Sequence, residues 1–286
     1  MTTNATSSTP DTPATNAPAA PATGAPAAEA SPAAALPSDA ELKKKRLRRT
    51  VGIVVAALIV AILVRTLLIQ PFTVPTSSME PNLYVGDYML ISKSDYGYSR
   101  YSPPITIDAI KGRIFEKVAT RGDVVVFHLG GPKNLHSAKR IVGIPGDKVQ
   151  MHAGRLYVNG SAVVLNNMPT ASADKTATQL TVQQETLTSG RSYLIQTDSG
   201  QNRGRETPVF TVPAGHYFVM GDNRDNSLDS RFAPDSPYGP GIGFLPAENL
   251  EGRVVMVLMS WKPGSSIWKP WTWLNLRWDR FFHSVH

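Results

Sequence analysis

The sequence predicts a mainly β protein preceded by one N-terminal transmembrane helix. Glycines, prolines and short β-branched runs alternate through residues 71–260, the pattern of strands between turns. Outside one apolar run, no segment keeps a long helical period. That run, Val51 to Ile69, is broken only by Arg65 and Thr66 near its end. As a helix its 19 residues would span roughly 28 Å, against about 30 Å of hydrocarbon in a bilayer.

Residues 1–42 are dominated by Ala, Pro, Thr and Ser. Such a segment buries too little apolar surface to offset chain entropy, so a disordered tail is expected. Lys43, Lys44, Lys45, Arg46, Arg48 and Arg49 follow, supplying nearly all of the formal charge of +7. The basicity is therefore local and abuts an apolar run, which argues for a membrane flank and against a nucleic-acid surface. The positive-inside rule puts the tail in the cytoplasm and everything after about Pro71 outside. Arg65 can reach the far headgroups. A cleavable signal peptide fits poorly, since the basic region lies far from the start and no small-x-small pattern follows Ile69. Residues 43–70 read as a signal anchor.

Beyond the anchor, Val124-Val125-Val126-Phe127, Leu156-Tyr157-Val158, Val163-Val164-Leu165, Tyr217-Phe218-Val219-Met220 and Val254 to Met259 read as strands, mainly antiparallel. Gly154, Asn159-Gly160 and Gly146-Asp147 supply turns. Residues 150–212 are rich in Thr, Ser, Gln and Asn, carry no candidate catalytic group and read as an insertion. All five tryptophans (Trp261, Trp268, Trp271, Trp273, Trp278) fall in the last 26 residues, with Phe281 and Phe282 beside them. Some of these rings are expected to pack and others to touch lipid.

The chain has no cysteine, which removes disulfides, thiol catalysis and cysteine-based zinc sites. Asp225, Ser227 and Asp229 have the alternate spacing of a calcium loop. They lack its sixth-position glycine and its flanking helices, so no metal and no cofactor are expected. A candidate nucleophile lies in Pro75-Thr76-Ser77-Ser78-Met79-Glu80-Pro81-Asn82-Leu83, immediately after the anchor. A serine hydroxyl needs an adjacent base. His128, His136, His152 and His216 are available, but none sits in a block with other signatures. Lys139 precedes the apolar Ile141-Val142, a setting able to lower the pKa of an ammonium by desolvation.

Four blocks occur in order: Pro75 to Leu83, Gly122-Asp123-Val124-Val125-Val126-Phe127, Ala138-Lys139-Arg140-Ile141-Val142-Gly143-Ile144-Pro145-Gly146-Asp147, and Gly221-Asp222-Asn223-Arg224-Asp225-Asn226-Ser227-Leu228-Asp229-Ser230-Arg231. Together they resemble the four boxes of bacterial type I signal peptidases. The resemblance implies Ser78 as nucleophile and Lys139 as general base. Thr76 and the Ser78 amide would hold the oxyanion, Ser227 would orient the lysine, and Asp229–Arg231 would form a supporting salt bridge. Phe72, Val74, Pro75, Met79 and Leu83 would line shallow apolar pockets for small side chains one and three residues before the scissile bond. It also implies an antiparallel β catalytic core, 71–149 and 213–262, with a smaller β domain inserted at 150–212. Residues 263–286 would form a tryptophan-rich, membrane-proximal segment. The partners implied are secretory preproteins and membrane lipid, and the site is the outer face of the cytoplasmic membrane. Two alternatives stay open: a peptidase for one exported substrate, and an inactive membrane-tethered binding module. Three departures stand out. Thr76 replaces the usual Ser or Gly, Asn82 the usual Thr or Ala, and a Pro/Gly stretch from Phe232 to Gly243 follows the last block.

Overall fold

A computed structural model describes residues 38–103, 106–130, 135–168, 180–198, 203–265 and 269–285. Residues 1–37 of the expected 1–42 tail and Trp268 lie outside the described residues, and the end of that tail is helical from Asp39.

A 29-residue helix, Asp39–Leu67, carries both the basic cluster and the apolar run. It starts at a capping box: Glu41 N–H donates to Ser38 Oγ (3.3 Å) and Ser38 N–H donates to Glu41 Oε2 (3.1 Å). Its most apolar stretch has a mean hydropathy of 2.5 and none of its residues is buried, so its length and composition suit a bilayer. The helix ends at Leu67, three residues before the expected anchor end at 70, because Ile69 already belongs to the next strand.

The main sheet is antiparallel and eight-stranded. Its order is Ile69–Thr73, Asp87–Ser92, Leu250–Ser260, Val124–His128, His136–Gly143, His216–Met220 and Leu245–Pro246, with His283–Ser284 also pairing the 250–260 strand. Register slips at Val254/Met256, Val257/Met259 and Phe218/Val219 mark bulges, which curl a sheet by adding local twist. The all-buried Val124–His128 strand explains its unbroken apolar sequence, because alternate residues feed two cores. Val124 and Val126 join Val74, Met79, Leu83, Met89 and Ile91. Val125 and Phe127 join Ile141, Tyr217, Val219 and Leu250 on the opposite face.

The described residues between 148 and 211 form two smaller sheets. One contains Phe210–Thr211, Lys148–His152, Arg155–Val158 and Ser161–Ala162; the other contains Val164–Asn167, Leu180–Thr186 and Ser192–Asp198. Their tight turns have positive φ at both central residues, Ala153-Gly154 and Asn159-Gly160, as two-residue hairpins require. Val149, Met151, Leu156, Tyr193 and Ile195 share one core with Val142, Phe218 and Met220 of the main sheet. The strand expected at Val163 begins at Val164, since Val163 points into that core instead. Leu180–Thr186 and Ser192–Asp198 were not legible as strands, because only a few of their residues are apolar.

Candidate active site

The first block leaves its strand at Thr73 and closes into a 3₁₀ turn, Ser77–Met79. Met79 and Leu83 plug the core beneath it, and Leu83 N–H donates to Met79 O at 2.9 Å. The turn is held from above by the last block. Asn223 donates its backbone N–H to Ser78 O and its side-chain amide to Ser77 O, both at 3.1 Å. Asn226 Nδ2 donates to Ser77 Oγ at 2.9 Å. At Gly221 a Cβ would lie 2.3 Å from Ser227 Oγ and 2.5 Å from Ser78 O, so only glycine allows this approach.

Lys139 reaches the turn from the His136–Gly143 strand, whose register sets it opposite Val125. Its Nζ lies 2.6 Å from Ser78 Oγ and donates to Ala138 O at 3.1 Å, with Ser137 Oγ at 3.5 Å. Both side chains are buried. Desolvation pulls the Lys139 pKa down to about 8; the Asp229 and Asp222 carboxylates push it back up, and Arg231 lowers it further. Lys93 is also buried and also lowered to about 8 by desolvation, but its ammonium donates to Ser102 O. Position beside a hydroxyl, not pKa, separates the two lysines.

Thr76 Oγ1 stands 3.3 Å from Ser78 Oγ. Arg231 grips Asp229 through Nε (2.8 Å) and a terminal nitrogen (2.9 Å), and Gly221 N–H adds a third bond at 2.9 Å. Burial pushes the Asp229 pKa up, but Arg231 and these bonds outweigh it and hold the carboxyl below its usual range. Ser227 lines the same cavity, yet its hydroxyl makes no hydrogen bond to Lys139 Nζ. The ammonium donates to Ala138 O within its own strand, with Ser227 in the cavity wall beside it.

Phe72, Val74, Pro75 and Met79 line an apolar cavity of about 370 Å³ together with Leu129 and Ala138. Leu83, expected with them, does not line it: it is fully buried in the core below the turn and anchors Met79's loop. The histidines are engaged elsewhere. His136 Nδ1 meets the buried Glu251 carboxylate, and His128 Nδ1 accepts from Gly130 N–H at 2.9 Å. Among the described residues, no cluster of His, Cys, Asp or Glu could hold a metal ion.

Several bracing residues escaped the sequence reading. Arg140 binds both oxygens of Asp222 at 2.8 Å, each residue almost fully buried, and its guanidinium lies over Tyr193. Asn82 Nδ2 donates to Asp222 Oδ2 (2.7 Å) and to Leu194 O (2.6 Å), so this departure ties three segments together. Glu185 pairs with Arg224, and Arg205 with Asp225 at 2.8 Å. A charge in an apolar strand must find a partner, and Arg140 beside Ile141-Val142 carried that signal. Glu185 and Arg224, 39 residues apart, carried none.

A hydroxyl held against a buried lysine of lowered pKa, beside an apolar groove, can perform acyl transfer on a peptide. The pattern of the family described as signal peptidase, peptidase S26, matches residues 47–261. Signal peptidase I of Rickettsia akari is 37% identical over 211 residues, covering 71% of this chain and 76% of that protein. Signal peptidase I of Rickettsia prowazekii is 34% identical over 230 residues, covering 76% and 82%. A crystal structure of a signal peptidase I from Enterococcus faecalis aligns at 26% identity over 48% of this chain and 97% of that one, with a TM-score of 0.28. The chain belongs to the signal peptidase family, peptidase S26, and is a serine endopeptidase of the hydrolase class.

Proposed function

We propose that the chain is a membrane-anchored enzyme that removes N-terminal signal peptides from exported preproteins, cutting after small residues at Ala-x-Ala-type sites. The observation that carries this reading is the 2.6 Å approach of Lys139 Nζ to Ser78 Oγ in a buried setting. Neutral Lys139 takes the hydroxyl proton as Ser78 Oγ attacks the scissile carbonyl. The Ser78 amide and the Thr76 hydroxyl donate to the developing oxyanion. The tetrahedral intermediate collapses to an acyl-enzyme, and the lysine ammonium gives its proton to the departing amine. Water, deprotonated by the same lysine, then releases the signal peptide. Asp229–Arg231 keeps the last block folded against the nucleophile turn and takes no part in bond making.

Phe72, Val74, Pro75 and Met79 supply the apolar wall for small side chains. Residues 71–149 and 213–262 act as the catalytic core and 150–212 as the insert that braces it. The helix anchors the enzyme in the cytoplasmic membrane, tail inside and core outside, by its N-terminal positive charge. Anchoring substrate and enzyme in one bilayer raises their effective concentration. The exposed Trp271, Trp278 and Phe282 give residues 263–286 a surface suited to lipid.

The test is cleavage of an Ala-x-Ala preprotein in detergent by wild type, Ser78→Ala and Lys139→Ala, with the new N-terminus sequenced. Cleavage after the second alanine, lost in both variants, is expected. Undiminished cleavage by Lys139→Ala would overturn the assignment of the base.

A further inference from the structure

The apolar helix ends against a small hairpin, Tyr98–Ser99 paired with Arg113–Ile114, and the two are bonded together. Tyr98 Oη donates to Leu67 O at 2.7 Å, closing the last turn of the helix. Lys93 N–H donates to the next carbonyl, Leu68 O, at 2.9 Å. The hairpin is in turn fixed to the core. Arg113 donates through Nε to Tyr96 O (3.0 Å) and through its terminal nitrogens to Ala247 O (3.1 Å), Leu250 O (2.6 Å) and Gly97 O (2.7 Å). A Cβ on Gly97 would stand 2.4 Å from both Ile114 O and Phe115 O, so the Ile114-Phe115 backbone lies against the residue beside Tyr98. The outer side of this well-held turn is nevertheless apolar. Ile114, Phe115 and Val118 are exposed, Phe115 by 79%. Phe115 also holds φ at 55°, a left-handed backbone that a bulky residue adopts only at a cost. That strain leaves its ring in solvent rather than in a core.

We propose that this turn is a lipid contact: Phe115, with Ile114 and Val118, enters the bilayer interface beside the emerging helix. The inference rests on the anchor reading above. Two observations select lipid as the occupant. The hairpin is bonded to the residue at which the membrane-length helix ends, so the bilayer surface and the turn lie at one level. The apolar part of the helix, Val51 to Leu67, also rises only roughly 25 Å, about 5 Å less than the hydrocarbon core. Exposed Leu68 and Ile69 continue the apolar surface toward the hairpin, and exposed Lys111 and Lys117 flank the turn with charges suited to lipid phosphates. The contact has a use in the proposed reaction. A single helix is one point of attachment, about which the core could pivot; a second point fixes the tilt of the core and the height of the Ser78 groove over the bilayer.

The chain has no cysteine, so Phe115→Cys, Val118→Cys and Ser161→Cys each carry a single thiol for a fluorescent label. Ser161, exposed in the inserted sheets, is the reference position. Each full-length variant is reconstituted into nanodiscs of phosphatidylethanolamine and phosphatidylglycerol, and thermal melts matching wild type check that it is folded. Labels at 115 and 118 are expected to lose fluorescence to doxyl groups carried on the lipid tails and to resist iodide in the water. The label at 161 should do the reverse. Val118→Cys carries the test should the strained position not tolerate the change. Iodide quenching at 115 and 118 equal to that at 161, with none from the doxyl lipids, overturns the inference. Shielding from both quenchers overturns it too, since a second copy of the chain would then cover the turn. Unlabelled wild type is separately reconstituted into vesicles of the same lipids and floated after an alkaline carbonate wash. Failure to float overturns the anchor reading and the inference together, whereas a floating chain with a water-exposed turn overturns the inference alone.

Discussion

The proposed role of Lys139 as base rests on burial, and its consequences are measurable. A neutral amine is needed to accept the Ser78 proton, and desolvation lowers the Lys139 pKa to about 8. Below that pH the ammonium dominates, so kcat/KM should fall about tenfold per unit there and level off above it. A rate flat from pH 6 to 9 would exclude this lysine as base. Lys139→Arg keeps the charge but cannot lose its proton, and is expected to cost at least about 10²-fold in kcat. Thr76 tests the oxyanion role separately. Thr76→Val removes the hydroxyl while keeping the shape and should reduce kcat about 10²-fold, whereas Thr76→Ser should keep most activity. Activity kept in Thr76→Val and lost in Thr76→Ser would show that the methyl group, not the hydroxyl, matters.

At the scale of elements, the nucleophile turn, the lysine strand and the last block are joined through Asp222. Its carboxylate receives Arg140 twice and Asn82 once, almost fully out of solvent. Removing Arg140 leaves that charge buried without its cation, and Arg140→Met should cost about 3–5 kcal/mol in denaturant unfolding. Asn82→Leu removes a bond to the charged Asp222 and another to Leu194 O, and should cost about 1–3 kcal/mol. A similar loss for both would mean that Asp222 is not held as the geometry indicates. Strand positions built from Val, Tyr and Phe were legible because alternation and turn residues are local. Leu180–Thr186 and Ser192–Asp198 were not, because what makes them strands is the core that Tyr193 and Ile195 enter.

For the whole molecule, the proposed function gives the apolar helix the task of holding the enzyme at a membrane and the curled sheet the task of cutting. With the tail inside and the core outside, protease added to spheroplasts should digest the region after residue 71 and spare an epitope placed before residue 43. Digestion of both, or of neither, would reverse or remove the proposed topology. The tryptophans divide as a mixed surface requires. Trp261 packs edge-on against Tyr88 at 4.9 Å between centroids, while Trp271 remains 77% exposed.

The sequence by itself determined whatever depends on neighbours in the chain. The apolar run, the basic cluster, the positive-φ hairpin turns and the four ordered blocks are all set by composition and short spacing. Tertiary structure alone decided which of the singled-out residues do what. Ser78 and Lys139, 61 positions apart, meet because a core plug and a strand register bring them together. Leu83 anchors the turn from below instead of lining the groove, and Ala138 O accepts from the lysine within its own strand. Burial and charge sum contributions from distant segments, and for Lys139 these include Asp222, Asp229 and Arg231 of the last block. A pKa near 8 for one lysine is therefore a property of the fold, and no local pattern could carry it.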